Sequence, residues 1–176
     1  MQFAAAALMV LLVGDFASTF FYHVPQHLWF TLHLRTHHDR KLSYWDHAVI
    51  SYKPEILLDG LYGAVPYLLV AAVAAVTLSW PGALLGLLLG QLHVWWRHTT
   101  QIGWVTPAWA RAIARPLQIV LPEDHDGHHR NPDIEFGDIF RFYDAPARAL
   151  IAALSPTSRR VKNAALRRSK RAPAQA

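Results

Sequence analysis

Residues 60–96 read GLYGAVPYLLVAAVAAVTLSWPGALLGLLLGQLHVWW, a run of 37 residues without a formally charged side chain. A helix that crosses a membrane needs about 20 apolar residues, so this run is long enough for two crossings. The residues Ser79-Trp80-Pro81-Gly82 interrupt it with a composition typical of a turn. The run therefore predicts a membrane hairpin. A buried hairpin of a soluble protein is the alternative, although such a helix pair normally has a polar stripe, and this run has none.

A third apolar segment, residues 3–23, reads FAAAALMVLLVGDFASTFFYH. It lacks the basic start and the cleavage site of a secretory signal, so we expect it to remain in the protein. Asp15 lies within it, and an ionisable group at membrane depth is costly and usually functional; a position near a helix end is the alternative. Together these segments predict an all-α integral membrane protein with about three transmembrane segments.

The basic residues predict the orientation of the protein in the membrane. All 17 Lys and Arg residues lie within residues 35–53 or 97–171. The positive-inside rule then places these segments and the C-terminus in the cytoplasm, at the inner membrane if the cell is bacterial. Residues 157–176 are basic and poor in large apolar side chains, which predicts a disordered tail attracted to anionic lipid after a membrane domain of residues 1–156. No recognition motif accompanies the charge, so we expect no nucleic-acid partner.

Ten of the eleven histidines fall into four short clusters. The clusters are His23 and His27; His33, His37 and His38; His93 and His98; and His125, His128 and His129. Imidazole is a ligand for iron, zinc, copper and nickel, and ten imidazoles are too many for one ion. The sequence therefore predicts two metal ions held almost wholly by nitrogen. Cysteine is absent, which excludes a thiolate site, and His47 stands apart from the clusters and is not expected to be a ligand.

Helical geometry supports shared ligation within most clusters. At about 100° per residue, the five histidines from His23 to His38 project within an arc of about 140°, and those from His125 to His129 within about 100°. The pair His93 and His98 diverges by about 140°, so one of the two is expected outside the ligand shell or beyond the helix end. Because the clusters border the apolar segments, we expect a His-rich helical cap on the cytoplasmic face of the membrane.

Three stretches resemble the histidine boxes of the fatty acid hydroxylase/sterol desaturase superfamily. They are DFASTFFYHVPQHLWFTLHLRTHH at 15–38, LPEDHDGHH at 121–129 and NPDIEFGDIFRFYD at 131–144. The last stretch matches the family pattern that follows its final box, through Asn131, Phe136, Gly137 and Asp144. The second box departs from the pattern, since three residues separate its first two histidines where the family more often has two. Thr99-Thr100 also follows His98 where the family frequently has Asn.

The resemblance implies a membrane enzyme that uses dioxygen to hydroxylate or desaturate a lipid such as a fatty acyl chain or a sterol. It implies two iron ions, with zinc as a substitute, held by the ten clustered histidines. It also implies a separate electron donor of the ferredoxin or cytochrome type, and an oligomer partner could supply a further helix. Asp15, Asp126 and Asp138 are candidates to orient the outer N–H groups of ligating imidazoles.

Two other functions stay open at the level of sequence. A carotenoid-type hydroxylase uses similar boxes on a different substrate. The second alternative is a non-catalytic membrane protein that binds or transports metal. A transporter should place its polar ligands along a path at mid-bilayer. The histidines here cluster at the ends of the apolar segments, which favours the enzyme.

Overall fold

The computed structural model describes residues 1–39 and 41–156 of the chain. Within these residues the protein is helical and contains no β-strand, apart from one isolated bridge between Ile119 and Phe140. The predicted all-α class is therefore confirmed. The basic tail predicted at 157–176 lies outside the described residues.

The helices are labelled α1 to α8 in chain order. They are α1 (Gln2–Leu28), α2 (Leu32–Thr36), α3 (Tyr44–His47), α4 (Pro54–Ala74), α5 (Trp80–Arg97), α6 (Ala108–Ala114), α7 (Pro122–Arg130) and α8 (144–156). A π-helical turn, Thr19–His23, lies within α1, and a second one, Ala75–Ser79, follows α4. Short 3-10 turns cover Thr99–Ile102 and Arg141–Tyr143.

Local sequence signals set where the helices begin. Pro54 and Pro122 stand in the first turns of α4 and α7, where a proline loses no helical hydrogen bond. At α3, the Ser43 hydroxyl accepts the Asp46 N–H at 3.3 Å, and the Asp46 carboxylate accepts the Ser43 N–H at 3.2 Å. Such a reciprocal cap satisfies two donors that the first turn would leave unpaired.

In the part of the chain that the structure describes, two apolar helical stretches are long enough to cross a membrane, Gln2–Leu28 and Pro54–Arg97. The second stretch is broken at Ser79, whose backbone is extended, with φ −161° and ψ 117°. The Ser79 hydroxyl accepts the Gly82 N–H at 3.3 Å, so α5 begins as a new helix with its own N-cap. The break therefore lies within the segment for which the sequence predicts a turn.

Helices α4 and α5 both pack along α1, and glycine allows the closest approach. A Cβ atom on Gly82 would lie 2.2 Å from the Phe3 carbonyl oxygen, and one on Gly86 would lie 2.7 Å from Val10, so only glycine lets these backbones meet. Position 82 thus faces residue 3 and position 86 faces residue 10, which makes α5 parallel to α1. The Ser18 hydroxyl reaches the Gly63 carbonyl at 3.4 Å, while Ala6 shares a cluster with Ala71 and Ala74, so α4 is antiparallel to α1.

This arrangement decides where the histidines meet. The start of α1 and the break at Ser79 lie at one end of the three-helix bundle, and the end of α1, the start of α4 and the end of α5 lie at the other. Helix α2 packs against α4 there, and α7 packs against α5. Helix α8 returns to the end of α1, where Ala147 joins Val24, Leu28 and Phe136 in a second apolar cluster. We call this end the histidine end.

Candidate metal centre

Nine of the ten clustered histidines form two groups at the histidine end. In each group, one ring nitrogen from every member lies within 4.8 Å of the others. The first group is His23, His27, His33, His38 and His128, and the second group is His37, His98, His125 and His129. All four members of the second group are buried. Two groups of this size are compatible with metal binding, and the chemistry of their nitrogens decides whether a metal fits.

Adjacent histidines contribute to different groups. His37 belongs to the second group and His38 to the first, and His128 and His129 divide in the same way. His128 and His129 are on α7, where successive residues point about 100° apart, so this pair directs one ring to each side. His37 and His38 follow the last residue of α2 and divide in the same way. The two groups remain in contact, because the rings of His33 and His37 stack with centroids 4.6 Å apart.

Hydrogen bonds fix the protonation of two rings in the first group. Nδ1 of His23 lies 2.8 Å from the Phe136 carbonyl oxygen, and Nδ1 of His128 lies 2.5 Å from that of Ile134. A carbonyl only accepts, so each Nδ1 carries the hydrogen and each Nε2 presents a lone pair. These two Nε2 atoms are 3.0 Å apart, a repulsive contact that a cation between them would relieve. Burial lowers the pKa of His128 to about 3, so its ring stays neutral.

The second group shows the same pattern around His125. His98 donates from Nδ1 to the Val94 carbonyl at 2.7 Å, which leaves its Nε2 as an acceptor. That atom lies 2.9 Å from Nε2 of His125, and Nε2 of His129 and His37 lie 3.1 and 3.3 Å from the same His125 atom. Burial lowers the pKa of all four histidines well below the ordinary value. Neutral imidazoles with converging nitrogens are the donor set that iron and zinc accept.

Further ring nitrogens of the first group are buried without a hydrogen-bond partner in the described residues. They are Nε2 of His33 and both nitrogens of His38. A buried polar atom is costly unless it is paired, and a bound metal would satisfy these atoms. The residues therefore fit a metal centre at both groups.

His93 lies outside both groups. It is buried on α5, and its Nε2 lies 3.0 Å from the Val120 carbonyl oxygen. His98 follows the last residue of α5, where the end of the helix frees its ring to turn toward His125. Of this pair, the structure thus brings only His98 to a group.

His47, which stands apart in the sequence, lies beside the second group in the structure but belongs to neither group, so its exclusion from the ligands stays a prediction. His47 is buried, and its ring centroid lies 4.9 Å from that of His129 and 5.6 Å from that of His37. Its Nδ1 lies 3.1 Å from the carbonyl oxygen of Ser43, the residue that precedes α3. The sequence gives no sign of this contact, because eight residues separate His47 from His38 and only the fold of that segment brings His47 back to the second group.

Asp59 is a site residue that the sequence analysis missed. Its carboxylate accepts the hydroxyls of Tyr22 and Thr36 at 2.6 and 2.9 Å and lies 3.2 Å from Nδ1 of His33. A carboxylate on the outer nitrogen of an imidazole fixes the orientation of the ring and raises its basicity. Its position in the sequence could have identified Asp59 as a site residue, since it is the last charged residue before the uncharged run.

The three predicted acids have different surroundings. Asp15 lies in the middle of α1, fully buried, and accepts the backbone N–H groups of residues 138–140 at 2.9, 3.0 and 2.7 Å. It is therefore neither at a helix end nor bonded to an imidazole. Asp138 pairs with Arg97 at 2.8 Å and lies 3.9 Å from Nδ1 of His23. Asp126 forms a surface ion pair with Arg130. Of the three, only Asp138 approaches a histidine.

Comparison with known proteins gives one match. The family model described as fatty acid hydroxylase matches residues 7–147. The matched span includes both histidine groups, Asp15, Asp59 and Asp138. No curated protein and no solved structure is significantly similar to the chain.

Proposed function

The chain belongs to the fatty acid hydroxylase family, and from this premise we propose that it is a membrane-bound oxidoreductase that uses two iron ions and dioxygen to hydroxylate or desaturate a lipid. The observation that carries the proposal is the convergence of acceptor nitrogens, above all the facing Nε2 atoms of His23 and His128 at 3.0 Å. A family of lipid hydroxylases accounts for such a donor set beside apolar helices, and a purely structural role for nine grouped imidazoles, seven of them buried, does not.

The residues have separate tasks in this proposal. The first group would hold one ion and the second group the other. When bound, the two irons would supply the redox chemistry by which dioxygen, reduced with electrons from the donor, oxidises an unactivated C–H bond. The carbonyls of Phe136 and Ile134 hold the outer nitrogens of His23 and His128, and Asp59 holds that of His33. Burial of the second group excludes water from the reaction. We expect the electrons to come from a separate donor of the ferredoxin or cytochrome type.

A transporter would need ligands along a path through the bilayer. Both groups instead lie at one end of the bundle formed by α1, α4 and α5, which supports an enzyme. A carotenoid-type hydroxylase would share the metal centre and differ only in its substrate, so the identity of the oxidised product distinguishes it.

The proposed activity has a direct test. We expect purified protein to carry about two iron ions per chain, by the ligand count and the preference of imidazole for such metals. Cells that express it should accumulate a lipid that has gained one oxygen atom or lost two hydrogen atoms, and cells that express His125→Ala should not. The proposal would be contradicted if the protein carried its metal and a donor system was co-expressed, but the lipids of the cells did not change. An oxidised carotenoid would select the alternative substrate.

We also propose that α1, α4 and α5 each cross the membrane, with the histidine end in the cytoplasm. The chain has no cysteine, so single cysteines can report the topology. Trp80→Cys, at an exposed position beside the break, should react with an impermeant maleimide added outside the cell. Asp133→Cys, exposed beyond α7, should react only after the membrane is opened. Labelling of both positions from the same side would exclude this topology.

A further inference from the structure

Residues 102–117, which include α6, have an exposed apolar surface outside the histidine groups. Six large apolar side chains there are each at least 49% exposed: Ile102, Trp104, Val105, Trp109, Ile113 and Leu117. We call these six side chains the outer patch. A surface helix normally turns its apolar side chains toward the core of the protein and its charges toward water. A contiguous exposed apolar patch therefore marks a contact with a partner or a membrane.

The charged side chains of the same segment are turned toward the protein. Arg115 donates two hydrogen bonds to the Asp124 carboxylate, at 2.9 and 3.0 Å, and Arg111 donates one to Glu123 at 3.3 Å. The Glu123 carboxylate also accepts the backbone N–H and the hydroxyl of Thr106, each at 2.9 Å. Both acids lie in the first turn of α7. The polar side of the segment is therefore attached to α7, and its apolar side is left exposed.

The outer patch adjoins an exposed apolar stripe of α5. Three leucines spaced four residues apart are each roughly half exposed along one side of this helix: Leu84, Leu88 and Leu92. Trp96 is the next position in this series, one residue before α5 ends. A cavity of about 300 Å³ beside Trp96 is also lined by Trp104, Trp109 and Ile113 of the outer patch. The apolar surface of α5 therefore continues into the outer patch.

We propose that residues 102–117 lie in the plane of the membrane, in the headgroup region of the leaflet at the histidine end, with the outer patch turned toward the acyl chains. The inference rests on the membrane location in the proposed function, and it adds a segment along the membrane surface to the three proposed crossings. Lipid is favoured over a protein partner because the patch contains two tryptophans and adjoins a third, and tryptophan is enriched where a membrane meets water. The continuity with α5 supports the same partner, since a surface that crosses the hydrocarbon must reach the headgroups where α5 ends.

The depth of a nitroxide spin label tests this placement. Because the chain has no cysteine, the label can be attached to a single introduced cysteine. Ala112→Cys is exposed on α6 between Trp109 and Ile113 and leaves the outer patch unchanged. Asp133→Cys, exposed beyond α7, is the control for water, and Val65→Cys, exposed on α4, is the control for the bilayer interior. The full chain with its metal is reconstituted into vesicles of phosphatidylcholine and phosphatidylglycerol, and power saturation measures collisions of the label with O2 and with a water-soluble nickel chelate.

We expect the ratio of O2 collisions to nickel collisions to be about fivefold higher or more at Ala112→Cys than at Asp133→Cys. The reason is that the apolar side of an in-plane helix is buried about 5 to 10 Å into the boundary between headgroups and acyl chains, where O2 concentrates and the chelate is excluded. The ratio at Val65→Cys should be higher still. Leu117→Cys should also exceed Asp133→Cys and serves if Ala112→Cys does not fold, which iron content and melting temperature report.

Two results would overturn the proposal. A ratio at folded Ala112→Cys equal to that at Asp133→Cys would mean that the segment faces water. Low collision rates with both reagents would mean that a second copy of the chain or another protein covers the patch.

The controls separate this inference from the proposed function. If Val65→Cys collides mainly with O2 and Ala112→Cys gives the ratio for water, the membrane crossing of α4 stands and the in-plane segment fails. If Ala112→Cys gives the high ratio while the protein oxidises no lipid, the in-plane segment stands and the proposed activity fails.

Discussion

Replacing His125 with alanine is expected to remove the metal from the second group and to lower turnover by more than about 100-fold. A loss of about 100-fold is the largest expected when the replaced residue only orients a ligand, and the loss of a ligand itself should exceed it. Nε2 of His125 lies within 3.3 Å of the Nε2 atoms of His37, His98 and His129, so its loss removes the nitrogen on which the group converges. The second group has four members against five in the first, and three remaining imidazoles would bind iron weakly. Iron per chain should fall from about two toward one, as measured by mass spectrometry of the purified protein.

His93→Ala is the control for this change. His93 is as buried as His129, at 9% exposure, but it lies outside both groups and its Nε2 lies against the Val120 carbonyl oxygen. We expect this variant to keep its iron and most of its turnover. His47 would be a poorer control, because its ring abuts His129. A His125→Ala protein that retains full iron would remove His125 from the ligands, and loss of iron in His93→Ala would show that burial alone accounts for the effect.

Replacing Asp15 with alanine is expected to lower the free energy of unfolding by about 3 kcal/mol or more. The change would leave three backbone N–H groups of residues 138–140 without their acceptor, and each unpaired buried group costs about 1 to 3 kcal/mol. Phe136, whose carbonyl holds Nδ1 of His23, lies two residues before this segment. Iron in the first group should therefore bind about 10- to 100-fold more weakly, as for other losses of a residue that supports a ligand.

Thermal unfolding in detergent and iron loss to a chelator measure the two effects of Asp15→Ala. Asp15→Asn keeps one carbonyl oxygen and should fall between alanine and the wild type. Asp126→Ala is the control, since its exposed pair with Arg130 contributes at most about 1 kcal/mol. If Asp15→Ala unfolded and released iron like the wild type, the attachment of residues 138–140 to α1 would have no energetic importance.

The sequence by itself determined the class of fold and the family. The uncharged run of residues 60–96 and the apolar residues 3–23 predict long helices because chain length and side-chain hydropathy are local properties, and the structure has apolar helices at both places. The histidine boxes were equally readable, and the family match over residues 7–147 confirms the resemblance that they carry. The break at Ser79 followed from its turn-forming neighbours.

Tertiary structure alone decided how the histidines divide. Periodicity gives the direction of a side chain around its own helix, and it placed His37 and His38 in one arc. The structure assigns them to different groups, because the partners of each ring are on α1, on α7 and just beyond the end of α5, which no local pattern positions. Tertiary structure likewise decided which of His93 and His98 joins a group, because His98 lies just beyond the point at which α5 ends.

The supporting residues also depended on contacts between distant segments. Asp59 meets His33 across 26 residues, and Asp15 meets residues 138–140 across more than 120, distances at which sequence spacing carries no geometric information. The structure also has a cavity between α4 and α5. Both helices are held against α1 by residues such as Gly63 and Gly86, so the size of the cavity depends on the packing of all three helices. Its shape is the space that the packed helices leave between them, and a local sequence pattern does not predict such a space.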